Sequence, residues 1–155
     1  MKSVYRVLAY LIALGVVVQA ASMVYAIAGL GIWVDEGGTF DKAAFESDET
    51  LFPEVVGFMI HGMNGMMLIP LLALIFLIVS FFAKVPGGVK WAALVLLAVV
   101  VQVTLGIFGH ENAIFGALHG VNALLLFSLA VTAGMRANRP ATTPVSSSES
   151  ERELV

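Results

Sequence analysis

The chain of 155 residues contains no cysteine, and only 12% of its residues are charged. The first absence excludes a disulfide framework, a thiolate nucleophile, an iron–sulfur cluster, thiol-ligated zinc and a covalently attached c-type haem, and it leaves histidine ligation open. The second excludes an ordinary water-soluble domain, which carries about twice that charged fraction. With a net charge of −3 and basic residues scattered singly, nothing points to nucleic acid. What is present is apolar: 59% hydrophobic residues and a mean hydropathy of +0.96. A bilayer is the solvent such a composition implies, with roughly 20 residues consumed per span.

The apolar residues fall into four runs, about 4–34, 55–82, 91–109 and 113–135, so the expected fold is an all-α, integral membrane four-helix bundle within residues 1–136. The connection at 35–54 is polar, and the other two are short. Lys2, Arg6, Lys84, Lys90, Arg136 and Arg139 fall at one set of span ends. The first connection sets Lys42 against Asp35, Glu36, Asp41, Glu46, Asp48, Glu49 and Glu54. By the positive-inside rule both termini of this multi-pass cell-membrane protein are cytoplasmic. Lys2 and Arg6 before an apolar run, with Ala20 and Ala21 behind it, also fit a cleavable signal peptide. The run continues unbroken past that point, which favours a retained helix. The tail at 137–155, rich in Ser, Thr, Pro and Glu without an apolar face, is expected to be disordered.

One signature occurs twice. The second span contains His61-Gly62-Met63-Asn64 and the fourth His119-Gly120-Val121-Asn122. Val16-Val17-Val18-Gln19 precedes the first copy, and Val99-Val100-Val101-Gln102 the second. The chain therefore reads as two tandem helical hairpins related by a pseudo-two-fold axis along the membrane normal. Such hairpins pack into a bundle with their polar residues inside. At a rise of about 1.5 Å per residue, His119 lies ~26 Å from Arg136 and His61 ~34 Å from Lys84, which puts both in the outer third of the bilayer.

Two histidines on facing helices at matching depth suit axial ligation of a haem iron, one nitrogen from each side. Gly57, Gly62, Gly65, Gly116 and Gly120 would let a flat macrocycle approach backbone, although glycines in membrane helices equally serve packing, and Gly116 and Gly120 form such a groove. Asn64 and Asn122 share the histidine face and are placed to orient an imidazole or bond a haem edge. Gln19 and Gln102 read as interhelical hydrogen-bonding residues. His110, beside Glu111, breaks the symmetry: it reads as a solvated interfacial residue, or as a propionate contact, a proton access point or a weak metal site. The acidic loop lacks the spacing of a calcium loop and reads as a solvated cap or docking surface. Met59, Met63, Met66 and Met67 read as core packing rather than iron ligands.

From Gln19 to His61 and from Gln102 through Gly106 to His119, the chain resembles one half of a haem A synthase, whose eight helices form two four-helix units, each with a histidine on its second and fourth helices. It is also similar to small four-span bacterial membrane proteins with a single such unit. The resemblance covers about residues 4–135. It implies that His61 and His119 bind b-type haem or receive a haem substrate. The synthase carries a functional glutamate one turn before its second-helix histidine, whereas this chain has Gly57 and Phe58 there and Glu54 seven residues away. Some synthases also have a cysteine pair in the first outer loop, which is absent here. Haem binding carries over on this pattern; haem hydroxylation does not.

The expected function is therefore that of a membrane b-type haem protein, ligated by His61 and His119 and lined by Asn64, Asn122, Gly62 and Gly120, in electron transfer or haem handling. Its partners would be the lipid bilayer, the haem and, for electron transfer, a quinone or respiratory-chain proteins. The alternative is a cofactor-free structural or assembly subunit in which the same histidines and asparagines form interhelical hydrogen bonds. A transporter or proton path is a weaker reading, because no acidic group lies inside a span. Nucleophilic and two-carboxylate hydrolytic chemistry lack the residues they need there.

Overall fold

The computed structural model describes residues 1–46 and 49–138. Four helices are long and apolar enough to cross a membrane, and no strand occurs among the described residues. The predicted tail from residue 139 onward lies outside them.

Helix α1 runs Lys2–Asp35. Between Arg6 and Asp35 the sequence offers neither proline nor charge to interrupt it. It stops where Gly37 takes a φ of 101°, a conformation that costs glycine little, so that the N–H groups of Gly37 and Gly38 cap the carbonyls of Val34 and Trp33 at 3.0 Å each. The polar connection holds a short helix, α2 (Lys42–Glu46), and Trp33 stacks on Phe52 with ring centres 5.8 Å apart, tying the end of α1 to the start of the next span. That span is not one regular helix. A 3₁₀ turn (Pro53–Val55) leads into α3 (Val56–Met63), a π turn follows (Asn64–Leu68), and α4 (Ile69–Ser80) completes it. The π turn sits just before Pro70, which has no N–H to give the preceding turn.

A tight connection with left-handed residues at Lys84 and Gly87 leads to α5 (Gly88–Gly109). Asn112 then caps α6 (Ala113–Arg136) by accepting the Ile114 N–H at 2.9 Å.

The start of α1, the end of α6 and the α4–α5 connection share one end of the bundle, which we call the terminal end. There the Tyr5 hydroxyl donates to the Gly88 carbonyl at 3.1 Å, Tyr5 packs on Phe76, Arg6 reaches Asn138 at 2.8 Å, and Arg136 lies over the Trp91 ring at 4.6 Å. The buried core also lies in this half: Tyr5, Ala9, Ile12 and Ala13 of α1, Ala73 and Phe76 of α4, Ala92 and Val95 of α5, Leu126, Ala130 and Ala133 of α6. Lipid tails are as apolar as leucine, so close backbone approach holds these helices together, which accounts for the many alanines.

At the opposite, loop end the packing differs. Helix α3 runs against α1, while α4 packs on both α1 and α5, and neither α5 nor α6 packs on α3 to the same extent. The bundle is closed at the terminal end and parted at the loop end.

Two expectations need correction. Met59, Met63 and Met66, each 58% exposed, and Met67, at 67%, face outward instead of packing in the core. Lys84 also does not mark the end of the helix that carries His61, because α4 ends at Ser80 and the chain then turns across the end of the bundle; the ring centres of His61 and His119 lie 6.1 Å apart.

Candidate functional site

His61 and His119 meet where the helices part. The Nδ1 of His61 lies 3.0 Å from the main-chain carbonyl oxygen of Gln19 on α1, and the Nδ1 of His119 lies 2.9 Å from that of Gln102 on α5. A carbonyl oxygen can only accept, so each Nδ1 carries the proton and donates. In the neutral imidazole the lone pair is then on Nε2, the nitrogen free to bind a metal, and such a bond on the far nitrogen is the usual support of a ligating histidine.

One turn further on, the asparagines complete the arrangement. The Asn64 amide donates to the Gly15 carbonyl at 3.0 Å and to Gln19 Oε1 at 3.3 Å. The Asn122 amide donates to the Ala98 carbonyl at 2.9 Å and to Gln102 Oε1 at 2.6 Å. Both asparagines are buried and line none of the cavities described below, so what they hold is the glutamine and the facing helix. The glutamines are the interhelical partners their sequence context indicated. That their main-chain carbonyls anchor the imidazoles was hidden, since any residue type supplies a carbonyl.

The buried positions of the two hairpins, together with the half-buried glutamines, follow one another. Ala9, Ile12, Gly15, Val16 and Gln19 of α1 occupy the places of Ala92, Val95, Ala98, Val99 and Gln102 of α5, at a constant offset of 83 residues. In the second helix of each hairpin, His61 and Asn64 stand 58 residues before His119 and Asn122, whereas Ile69, Ala73 and Phe76 stand 57 before Leu126, Ala130 and Ala133. The single extra residue is taken up between Asn64 and Ile69, in the π turn.

Three cavities converge on the imidazole pair. One of about 520 Å³ extends toward the terminal end between Val16, Ile69, Val99 and Leu126. One of about 660 Å³ extends toward the loop under Phe40 and Phe52, past Gly109 and His110. A third, about 340 Å³, opens beside Gly106 and Met66. All three are within the range of roughly 300–1,000 Å³ usual for small-molecule sites.

The glycines divide into two groups. A methyl group added at Gly62 or Gly120 would meet nothing within 4 Å, and both line these cavities. One added at Gly57 would fall on the Ser22 carbonyl, one at Gly65 on the Gln19 amide, and one at Gly109 within 3.3 Å of Gly116. Of the five glycines near the histidines, Gly57 and Gly65 therefore serve close packing, Gly62 and Gly120 border open space, and a methyl at Gly116 would have room, its nearest neighbour being the Gly109 carbonyl at 4.0 Å.

What this arrangement can hold follows from its donors. Among the described residues no cluster of three or more His, Asp or Glu side chains is placed to grip a bare ion. Two imidazoles suffice for a metal whose other four positions are filled by a macrocycle. With metal–nitrogen bonds of about 2.0 Å and ring nitrogens ~1.2 Å from the ring centres, two imidazoles on opposite sides of one metal have centres about 6.4 Å apart. The separation of 6.1 Å fits that requirement, and the cavities on three sides of the pair leave room for a plane wider than the ligand axis. No protein-family model, no curated protein and no solved structure matches the chain.

Proposed function

We propose that the chain is a membrane b-type haem protein that holds one haem between His61 and His119, for electron transfer or haem handling. The observation that carries this reading is the same Nδ1 bond to a helix carbonyl on both imidazoles, which leaves two Nε2 lone pairs on rings 6.1 Å apart. Bound there, a haem would supply a one-electron couple. The chain's residues fix both imidazole tautomers, keep Gly62 and Gly120 clear and exclude water from the terminal side with apolar walls. A quinone or a respiratory-chain protein is the partner such a couple needs.

The architecture goes with this function: two tandem hairpins with pseudo-two-fold symmetry, supported by the matched buried positions, in the cell membrane with both termini cytoplasmic, as the basic residues at the terminal end favour. Reduced-minus-oxidised spectra of the purified protein supplied with haem test the ligand pair. The wild type is expected to give the bands of a bis-imidazole b-type centre and the His61→Ala/His119→Ala variant none; a colourless wild type or an unchanged double variant refutes it.

A second reading, a cofactor-free structural or assembly subunit, is favoured by one observation: each Nδ1 and each asparagine amide already has a protein acceptor. Under it His61→Gln, which keeps a hydrogen-bonding side chain, restores the stability lost in His61→Ala. Under haem ligation His61→Gln loses the bis-imidazole bands, because an amide does not replace imidazole on iron.

A further inference from the structure

The cavities on the two sides of the imidazole pair differ in chemistry. Beyond the imidazoles and the two glutamines, the terminal-side cavity has only apolar walls, among them Val16, Ile69, Val99, Leu126 and Phe127, and it is backed by the buried core. The loop-side cavity touches the same two imidazoles but adds Glu49 and His110, and the exposed His110 also lines the side cavity next to Gly106. The matched positions sharpen the contrast. At the offset of 83 that relates α5 to α1, the counterpart of His110 is Ile27, which faces outward. His110 thus departs from the repeat at the mouth of the site, where the packing needs no polar group.

We propose that His110 and the apolar terminal-side slot together sort the two edges of the bound tetrapyrrole: His110 hydrogen-bonds a carboxylate edge at the loop end, and the slot takes the apolar edge. The inference rests on the axial reading of His61 and His119 and adds a single orientation for the tetrapyrrole, with its dicarboxylate edge toward His110. Burial decides the direction. A carboxylate in the slot would lose its water among apolar walls, with no donor beyond the glutamine amides beside the imidazoles, a costly placement for an ionised group. At the loop end Glu49 and Glu111 repel a carboxylate, but that repulsion acts through water and ions and is the smaller effect. His110 supplies an N–H donor on that side.

The test titrates the full-length protein in detergent with iron protoporphyrin IX and with its dimethyl ester, in the wild type, His110→Leu and His110→Gln. His110→Leu is expected to weaken the diacid roughly fivefold, the scale of one partly solvated charge-assisted hydrogen bond. His110→Gln, which keeps a donor, is expected to stay within about twofold of the wild type. The ester should bind all three alike. Equal weakening of both ligands in His110→Leu, or no weakening of the diacid, overturns the orientation while leaving the axial pair standing. A chain that gives no bis-imidazole spectrum with either ligand overturns the axial reading and this inference with it.

Discussion

Gly62 and Gly120 stand in the cleft with nothing opposite them, and a side chain there separates the two functional readings. Valine at either position enters open space, so the empty bundle should fold and insert normally; its added methyls occupy the volume that the ligand plane needs. Gly120→Val is therefore expected to give wild-type expression and thermal stability with haem occupancy lowered several-fold, checked by haem content per protein. Unchanged occupancy in both Gly62→Val and Gly120→Val would mean that the ligand lies on another face. Gly57→Ala should behave oppositely, destabilising the bundle itself, because its methyl collides with the Ser22 carbonyl. The asparagines give a third contrast: Asn122→Leu strands Gln102 Oε1 and should cost about 1 kcal/mol in a detergent unfolding titration, within the range of buried interhelical hydrogen bonds. From sequence, the identity of these residues was legible through the repeated His-Gly-x-Asn signature. Their division of labour was not, because glycines facing a gap and glycines facing a backbone look alike in a string of letters.

Among the elements, the second span carries the departure that sequence reading missed. Its apolar run predicted one helix, and the helix instead widens into a π turn at Asn64–Leu68, just before Pro70. Without the extra residue, the spacing from His61 through Asn64 to Phe76 would equal that from His119 through Asn122 to Ala133. The π turn thus restores a face that an insertion would otherwise rotate by about 100°. Deleting the outward-facing Met67 together with Pro70→Phe, the residue found at the matching place in α6 as Phe127, should give a plain helix that still presents His61 and still binds haem. Deleting Leu74 in α4 should turn His61 out of the cleft and abolish the spectrum. Equal loss in both deletions would show that the π turn is not an absorbed insertion. The outward methionines have a related origin: lipid-facing and core-facing positions are both apolar here, so hydropathy alone does not say which way a side chain points.

The whole molecule is closed at one end and open at the other, and its orientation in the membrane decides which compartment the open end faces. Lys2, Arg6, Lys84, Lys90 and Arg136 lie toward the terminal end, while the loop end has Lys42, which is paired with Glu46 at 3.6 Å. The chain has no cysteine, so single introduced cysteines report topology cleanly. A membrane-impermeant thiol reagent should label Thr50→Cys in intact cells and Asn138→Cys only after permeabilisation; the reverse pattern would place the open end in the cytoplasm. That each imidazole is fastened to main chain has a consequence for heredity. Replacing Gln19 or Gln102 alters what the asparagines lean on but leaves the oxygens that hold His61 and His119, so random mutagenesis should find the imidazole anchors silent to side-chain replacement. Among descendants of this chain, residues 19 and 102 could drift while the histidines stayed in place, and a comparison of their sequences would give no sign of the bond that aims them.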